Sequence, residues 1–464
     1  MALMSPTDSL FLIAEKRENP MHVGGLQLFS LPEGCGPDYV NEAYHRMIEF
    51  DDLQPRFRLR PRRPLTSLGQ WTWTVDDDVD LEYHGRLSAL PRPGRVRELL
   101  ELTSRLHGSL LDRRRPLWEY HIIEGLTGNR FATYSKMHHA LIDGVSALRL
   151  LSDTLSEDPA DLNVPPPWAA RARRARSSRP QPDGDQDLLG GAIRAVQAVA
   201  HTAGQLAGAT QALVRAVNEG LREQTTPLPL QAPRSIFNVP ITGARRFAAQ
   251  SWPFDRVRPV RTALGGTVND IVLAMCAGAL RRYLMERGAL PDRPLVAMVP
   301  VSLRTPASGH DPAGNAVGTI LCNLGTHLDD PAQRYELIRT SMARGKRIFA
   351  GLTPLQVTVL SALVMAPMAA SPLPGVIQYT PPAFNLVISN VPGPTRPLYW
   401  NGARLQGVYP LSIPIDGQAL NITATSYAGS VEFGLTGCRR NVPHLQRLLG
   451  HLDTSLAELE KLVS

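Results

Sequence analysis

The sequence predicts an α/β protein made of two mixed regions joined by a long connection. The chain has 464 residues, which is more than one hydrophobic core usually serves, so two domains are the first expectation. Strand and helix patterns are mixed in residues 1–160 and again in residues 236–464, whereas residues 161–235 differ from both in composition. We therefore predict an N-terminal half, a linker or crossover, and a C-terminal half with these boundaries.

The N-terminal half contains both the strand and the helix periodicity. Alternating or β-rich runs predict strands at Val23–Leu28, Arg56–Arg60, Trp118–Glu124 and Phe131–Met137. Leu99–Leu111 is predicted as a helix that ends before the turn Arg113–Pro116. A second helix is predicted to begin near Val145, because apolar residues recur there at helical spacing.

The connection opens with Pro165–Pro167 and then carries a dense basic block. Five of the seven net positive charges come from arginines within residues 171–179, so the rest of the chain carries only +2. Such a block suits anionic lipid or cofactor phosphates, although a solvated linker is the more common reading. Residues 188–221 are rich in small apolar residues and could form a helix that packs on the body or lies on a membrane.

The C-terminal half shows the same mixture of elements. Thr267 and Asp270 have the spacing of a capping box at the start of a helix. Leu295–Leu303 and Phe384–Ile388 are apolar runs of strand length, and a leucine stripe marks a C-terminal core helix. Leu355–Ala370 is the most apolar stretch, but it is too short and too interrupted by polar residues and proline to span a bilayer. It could be a buried helix, line an acyl tunnel or dip into a membrane surface.

Composition restricts the class of protein. Hydrophobic residues make up 43% and charged residues 20% of the chain, as in ordinary globular domains. The four cysteines form no CxxC pair, which favours buried free thiols over a disulfide framework or a zinc site. Because the body is not broadly basic, no nucleic-acid partner is expected. The N-terminus lacks a basic region followed by an apolar core, so no signal peptide is predicted.

The chemically most informative segment is His138-His139-Ala-Leu-Ile-Asp143-Gly144. It falls between a predicted strand and a predicted helix, where a reactive side chain can be exposed and yet held rigidly. Adjacent strand residues point to opposite faces, so His138 and His139 are poorly placed to bind one metal ion. Asp143 could simply cap the following helix. The sequence contains no Gly-x-Ser-x-Gly elbow and no glycine-rich phosphate loop.

These residues offer general-base catalysis without a covalent enzyme intermediate. A neutral imidazole can remove the proton from a hydroxyl as the oxygen attacks a thioester. A nearby carboxylate could fix the ring, or it could pair with an arginine and hold the loop.

Several motifs together resemble the bacterial wax ester synthase/diacylglycerol acyltransferase family, which is well represented in actinobacteria. His138-His139-x-x-x-Asp143-Gly144 matches the HHxxxDG signature of acyltransferases and condensation domains. Pro116-Leu117-Trp118, Asn269-Asp270 and Asn390-Val-Pro392-Gly393-Pro match the family's PLW, ND and NVPGP motifs. Ser5-Pro6-x-Asp8 and Met21-His22-Val23-Gly24 are also similar, so the resemblance covers nearly the whole chain.

The resemblance implies two chloramphenicol-acetyltransferase-like halves with the active site in a channel between them. It implies that His139 is the general base, that His138 supports the site, and that Asp143, followed by Gly144, is mainly architectural. Arg304 is a candidate partner for Asp143. Asn269 and Asp270 would face the site from the second half, although a capping role for Asp270 stays open. The substrate-binding positions by the same carry-over are Pro116, Leu117, Trp118, Asn390, Pro392 and Gly393.

The implied reaction is acyl transfer from long-chain acyl-CoA to diacylglycerol, with a fatty alcohol as the alternative acceptor. No metal and no permanently bound cofactor are expected, and acyl-CoA serves as co-substrate. We expect a cytoplasmic protein that associates peripherally with the inner face of the plasma membrane or with lipid bodies. A non-catalytic lipid-binding paralogue and a carrier-protein-dependent condensation domain are the competing functions; the family motifs weaken the second.

Overall fold

A computed structural model describes residues 2–63, 70–170, 231–304, 315–350, 352, 356–357, 360–361, 364–365 and 379–463. The arginine block at 171–179 and the apolar stretch at 188–221 lie outside the described residues. So does most of the Leu355–Ala370 stretch.

A six-stranded sheet forms the centre of the N-terminal half. Its strands follow the order β12-β13-β2-β7-β6-β5. They are β2 His22–Ser30, β5 Gly85–Ala89, β6 Trp118–Leu126, β7 Arg130–His138, β12 Tyr399–Trp400 and β13 Ala403–Leu411. The antiparallel pair β2 and β7 places His22 directly opposite His138. The strands predicted at 23–28, 118–124 and 131–137 are therefore confirmed.

A second six-stranded sheet forms the centre of the C-terminal half, in the order β10-β9-β11-β14-β15-β8. Its strands are β8 Arg245–Pro253, β9 Val296–Arg304, β10 Asn315–Asn323, β11 Leu386–Val391, β14 Leu420–Tyr427 and β15 Ser430–Cys438. The two runs predicted as strands at 295–303 and 384–388 correspond to β9 and β11.

One segment from the C-terminal part of the chain adds two strands to the N-terminal sheet. After β11 the chain leaves the C-terminal sheet, forms β12 and β13 at the edge of the N-terminal sheet, and returns as β14. Gly393 lies at this departure, and a Cβ there would overlap the Ser426 carbonyl oxygen, so only glycine fits. Residues 399–411 thus belong to the N-terminal sheet by pairing, although they lie in the predicted C-terminal half. The three-part division of the chain stays a prediction.

The helices cover these sheets. They are α1 Pro6–Ala14, α2 Tyr39–Ile48, α3 Leu81–His84, α4 Val96–His107, α5 Gly144–Asp153, α6 Phe254–Leu264, α7 Val268–Met285, α8 Pro331–Phe349 and α9 Arg447–Lys461. A small third sheet pairs β1 Ala2–Leu3, β4 Thr72–Val75 and β3 Leu59–Arg62. Its inner face packs beside α1 through the partly buried Trp73.

Two local predictions need correction. The strand predicted at Arg56–Arg60 begins only at Leu59, because Pro55 opens a 3₁₀ turn over Pro55–Arg58 that buries Phe57. The helix predicted to Leu111 ends at His107. The capping box is confirmed: the Thr267 side chain accepts from the Asp270 N–H, and the Asp270 carboxylate accepts from the Thr267 N–H.

The largest hydrophobic core lies in the C-terminal half, and a smaller one joins Phe247 of β8 to strands of the N-terminal sheet. The larger core surrounds α7, which is buried on every side between the C-terminal sheet and the neighbouring helices. Among the described residues, no single helix has the length and hydropathy that a membrane crossing needs. Only α6 and α7 together pass that test, with a bend of 102° between them. Because α7 is a core helix of this half, its hydropathy is explained by packing.

A close approach between the two sheets at Gly434 predicts an effect on stability. Gly434 of β15 faces the Pro410 carbonyl of β13, and a Cβ at Gly434 would overlap that oxygen. We expect Gly434→Ala to lower the free energy of unfolding by about 2 kcal/mol, because the sheets must move apart. Gly450→Ala is the matched control. Gly450 is an exposed position of α9 with no atom near its Cβ position, so this change should raise stability by about 0.5–1 kcal/mol. Denaturant unfolding of the two variants measures both effects, and equal stability would contradict the packing.

Candidate active site

The histidine pair lies at the end of the strand that the sequence predicts. β7 ends at His138, and α5 begins at Gly144. Asp143 is the N-cap of α5: one carboxylate oxygen accepts from the Val145 and Ser146 N–H groups at 2.8 and 2.9 Å. The other accepts from the Ser146 hydroxyl at 2.7 Å. The predicted capping role is confirmed, and the loop between His139 and α5 is fixed at its far end.

The structure does not show a role for Gly144 or Arg304, the two residues proposed to act with Asp143. A Cβ at Gly144 would lie 3.7 Å from Val23 Cγ1, an ordinary contact, so packing does not explain glycine there. The Arg304 side chain lies outside the described residues, so its pairing with Asp143 stays a prediction.

His138 is buried and has a defined tautomer. Its Nδ1 accepts a hydrogen bond from the Ala140 N–H at 3.1 Å, so the ring proton is on Nε2. That nitrogen faces Glu15 Oε1 at 3.4 Å. Burial lowers the pKa of His138 more than the Glu15 carboxylate raises it. His138 is therefore a neutral ring that points its N–H at a carboxylate.

Glu15 follows α1 and organises this side of the site. Its Oε1 accepts from the Met21 N–H at 3.1 Å, and its Oε2 accepts from Arg113 Nη2 at 3.0 Å. Burial would raise the pKa of Glu15, but the interactions with His138, the Met21 N–H and Arg113 together outweigh it, so this pKa lies below its usual value. Arg113 also donates to the Leu12 carbonyl at 2.7 Å. The carboxylate thus ties together α1, the loop after it and the histidine motif.

His139 is placed differently from its neighbour. Its ring stacks on Phe11 of α1, with centroids 4.2 Å apart and planes at 25°. Its N–H donates to the Met21 carbonyl at 2.8 Å. The residue is only partly buried, whereas His138 is fully buried. His139 is therefore the more exposed of the two histidines, with its ring on an aromatic face and its backbone N–H in a hydrogen bond.

An apolar group, here named the site cluster, surrounds this arrangement. Phe11, Leu12, Met21, Leu117 and Ala140 belong to it, together with Met4 and Leu111. The partly buried side chains packed against it are Ala14, Trp71, Trp73, Ile413 and Ile415. Ile413 and Ile415 follow β13, so the C-terminal part of the chain contributes to the surroundings of the histidines.

Beneath the histidines the N-terminal sheet carries a layer of buried polar groups. Lys136 Nζ lies 2.8 Å from Glu119 Oε2 and donates to the Leu106 and Ser109 carbonyls. Burial would raise the pKa of Glu119, but His121, Lys136 and Arg86 hold it at about 2. These partners compensate the buried charges, so the layer is a fixed support for β7.

The PLW residues are divided between two roles. The Leu117 carbonyl accepts from the His138 N–H at 3.0 Å, and the Leu117 side chain lies in the site cluster. Pro116 is buried just before them. Trp118 is instead a core residue: its indole N–H donates to the Phe57 carbonyl at 2.9 Å and its ring stacks on His84. Packing, rather than substrate contact, is what the structure shows for Trp118.

The two C-terminal motifs lie at structural junctions. The described contacts of Asp270 are those of the capping box, and Asn269 is the half-buried second residue of α7. That they face the histidines stays a prediction. Asn390 is the residue before the last of β11 and pairs with Ala424. Pro392 is exposed, and the Gly393 N–H donates to the Ser426 hydroxyl at 2.9 Å. The NVPGP segment thus begins the crossover between the sheets, and substrate binding by these residues also stays a prediction.

The sequence interpretation missed Phe11, Glu15, Met21 and Arg113 as site residues. A glutamate directly after the apolar run Phe11–Ala14 was a usable signal, because such a carboxylate is pulled into the core and needs buried partners. Arg113 is 98 residues away, and no local pattern pairs the two.

The geometry is suited to proton transfer rather than metal binding. His138 and His139 diverge, one toward Glu15 and the other onto Phe11. In the part of the chain that the structure describes, no group of three metal-ligating side chains is close enough to hold an ion. A half-buried imidazole beside apolar side chains can act as a general base on a bound hydroxyl.

Comparison with known proteins identifies one family over nearly the whole chain. A family model described as the wax ester synthase/diacylglycerol acyltransferase catalytic domain matches residues 4–272, and the WS/DGAT C-terminal domain matches residues 313–460. The probable diacylglycerol O-acyltransferase tgs2 of Mycobacterium tuberculosis is 55% identical, with both chains covered completely. The O-acyltransferase WSD of Acinetobacter baylyi is 42% identical, covering 100% of this chain and 98% of its own.

Solved structures agree. The wax ester synthase/diacylglycerol acyltransferase from Marinobacter aquaeolei VT8 has a TM-score of 0.76 and 42% identity, with full coverage of both chains. The starter condensation domain of rhizomide synthetase, at 13% identity and a TM-score of 0.57, shares the fold. The predicted fold class of two chloramphenicol-acetyltransferase-like halves is confirmed. By family model, by whole-length identity and by fold, the chain belongs to the wax ester synthase/diacylglycerol acyltransferase family of acyltransferases.

Proposed function

We propose that this chain transfers a long-chain acyl group from acyl-CoA to the free hydroxyl of diacylglycerol, forming triacylglycerol. The observation that carries the proposal is the partly exposed His139 at the edge of the apolar site cluster, with its ring stacked on Phe11 and its backbone N–H bonded to the Met21 carbonyl. The relative at 55% identity is named a diacylglycerol O-acyltransferase, which supports diacylglycerol as the acceptor.

The reaction needs one proton-transfer group and a dry environment. His139 removes the hydroxyl proton as the oxygen attacks the thioester carbonyl. The tetrahedral intermediate then collapses, the carbon–sulfur bond breaks, and the imidazolium returns the proton to the departing CoA thiolate. The net products are the new ester and CoA thiol, and no covalent enzyme intermediate forms.

The surroundings of His139 suit two apolar substrates. An acyl chain and the chains of diacylglycerol gain about 0.8 kcal/mol for each methylene removed from water. The site cluster offers aliphatic and aromatic side chains from both parts of the chain, among them Leu117, Trp73 and Ile413. The same side chains exclude water, which would otherwise compete with the alcohol as the nucleophile.

The other motif residues serve the geometry of His139. His138 anchors the end of β7 through Glu15, and Asp143 anchors the start of α5. The two anchors fix both ends of the segment that contains the base. We keep Asn269, Asp270 and Arg304 as proposed supporting residues of the second half.

Wax ester synthesis from a fatty alcohol is the second candidate. The Marinobacter protein carries both activities in its name, and a primary alcohol meets the same requirements of the base. A non-catalytic lipid-binding role is disfavoured, because a binding protein has no need of a partly exposed histidine held by a stack and a backbone hydrogen bond.

The test is acyl transfer by purified protein. With labelled palmitoyl-CoA we expect triacylglycerol from diacylglycerol, and we expect His139→Ala to slow this transfer by about 100- to 10,000-fold, as for loss of a general base. Chromatographic separation of products, with diacylglycerol, hexadecanol or no acceptor, measures both.

His45→Ala is the matched control, since His45 is an exposed residue of α2 and should leave turnover unchanged. Near-wild-type turnover by folded His139→Ala protein would end the mechanism. Wax ester formation without triacylglycerol would favour the second candidate.

We also propose peripheral contact with a lipid surface, in the cytoplasm, at the plasma membrane or at lipid bodies. Both substrates are amphiphilic, so the entrance to the site should meet lipid. Ile13 of α1 is 63% exposed, Leu3 is 69% exposed, and Leu110 next to the site cluster is 43% exposed. Ile13 lies in α1, the helix that contains Phe11, and Leu110 precedes Leu111 of the site cluster. The five arginines at 171–179 supply a basic segment for anionic headgroups.

Flotation with anionic liposomes separates these two contributions. Each arginine near an anionic surface contributes on the order of 1 kcal/mol, and salt screens it. Replacing the five arginines with glutamine should remove the salt-sensitive part of binding. Ile13→Gln should weaken the salt-resistant part about tenfold, as expected for one buried isoleucine. Leu162→Gln, at a 58% exposed position elsewhere, is the control. Equal, salt-insensitive flotation of wild type and the arginine variant would exclude the arginine block. Equal flotation of the Ile13 and Leu162 variants would exclude α1.

A further inference from the structure

The loop between α1 and β2 controls the position of both histidines. Glu15, at its start, faces His138, and the Met21 carbonyl, at its end, accepts from the His139 N–H. Any displacement of residues 15–21 therefore moves the base directly. Residues of the C-terminal half hold this loop in place through hydrogen bonds.

Asn19 of this loop and Asp416 of the C-terminal half form a reciprocal pair of hydrogen bonds. Asn19 Nδ2 donates to Asp416 Oδ2 at 2.7 Å, and the Asp416 N–H donates to Asn19 Oδ1 at 3.0 Å. The second Asp416 oxygen accepts from the Ile241 N–H at 2.9 Å. Asn19 is buried, with 6% of its surface exposed. Asp416 is half-buried, and each side-chain oxygen and nitrogen of the pair has a specific partner.

Asp416 is itself rigidly held. It lies in the turn Ile415–Gln418, which is closed by hydrogen bonds in both directions between Ile415 and Gln418. Gly417 has φ +81°, a conformation that favours glycine, and its N–H donates to the Val239 carbonyl at 3.0 Å. The Gly417 carbonyl in turn accepts from the Asn238 side chain at 3.0 Å. The turn is therefore fixed to the body of the C-terminal half.

Arg245, the first residue of β8, adds further hydrogen bonds between the 15–21 loop and the segment around Asp416. Its guanidinium is buried and donates to the carbonyls of Glu18, Pro414 and Thr242. One side chain thus joins the loop at Glu18 to the segment that precedes Asp416. Gly243 also packs on the backbone of Arg17, where a Cβ would overlap the Arg17 carbonyl oxygen.

We propose that Asn19 and Asp416 are positioning residues through which the C-terminal half sets the orientation of His139. The chain of contacts runs from Asp416 to Asn19 and then, two residues later, to the Met21 carbonyl and the His139 N–H. The pair touches no reacting atom. The proposal rests on the proposed function for its catalytic consequence, while its structural consequence is independent of that function.

A charge swap tests the pair. Asn19→Asp places two carboxylates against each other, and Asp416→Asn leaves one of the three donors without an acceptor. Asn19→Asp together with Asp416→Asn restores every hydrogen bond, with the amide and the carboxylate exchanged. We expect each single variant to lower kcat about 10- to 100-fold, because small displacements of a catalytic group have effects of that size. The double variant should return to within about threefold of wild type, as coupled neighbours do.

The matched control is Asn401→Asp. The Asn401 side chain also pairs reciprocally, with the N–H and carbonyl of Val164. Asn401 lies in the turn between β12 and β13, three residues before Arg404, which pairs with Ser30. Ser30 is the end of β2 that lies about 25 Å from His22 by strand geometry. This variant should lose stability with little change in kcat. The KM for palmitoyl-CoA should change less than about threefold in the Asn19 and Asp416 variants, since the base and not the binding surface is displaced.

Amide hydrogen exchange of the peptide containing His139 gives a readout besides activity. Its protection should fall in both single variants, recover in the double variant and stay unchanged in Asn401→Asp. Single variants with wild-type kcat and wild-type protection would overturn the proposal, as would a double variant that recovers neither. If the wild type transfers no acyl group to any acceptor, the proposed function fails, and the exchange pattern alone still decides the positioning role.

Discussion

Burial of the Glu15 carboxylate is the constraint from which the rest of the site follows. A carboxylate removed from water must be compensated by charge and hydrogen bonds. Arg113 and the Met21 N–H supply them for Glu15, and His138 Nε2 faces the carboxylate at 3.4 Å. Each partner belongs to a different segment, so satisfying one charge fixes α1, the loop after it and the end of β7 together. His139 gains its position from this arrangement, because Phe11 and Met21 lie on either side of Glu15 in the sequence.

The C-terminal part of the chain also contributes to the N-terminal sheet and to the surroundings of the histidines. β12 and β13 extend the N-terminal sheet, while Ile413, Ile415 and Asp416, which follow them, contact the site cluster and the loop at Asn19. The N-terminal half therefore contains His139, the proposed base, but the surroundings of this residue are completed by chain from beyond residue 400. A side chain at such a junction is held from both parts of the chain, which suits the fixed orientation that a general base requires.

The sequence predicted those structural features that depend on residues close together in the chain. The strand before His138, the N-cap at Asp143 and the box at Thr267 and Asp270 all follow from spacing within a few residues. It did not predict the pairing of Glu15 with His138, which joins positions far apart in the chain. Nor did it predict the placement of β12 and β13 or the core role of Trp118. These depend on which surfaces the fold brings together, and a single sequence carries no record of that. The positions of 171–179 and 188–221 lie outside the described residues, and their roles rest on composition alone.

The most direct measurement is the turnover of Glu15→Gln, with Glu157→Gln as its control. Glu157 forms an exposed ion pair with Arg396 at 2.8 Å, so its loss should leave kcat unchanged and stability nearly so. In Glu15→Gln the charge that faces His138 and Arg113 is gone. We expect kcat to fall about 10- to 100-fold in the folded protein with little change in KM, because the base is displaced and the binding surface is kept. A folded Glu15→Gln protein with wild-type kcat would contradict the view that this carboxylate organises the site.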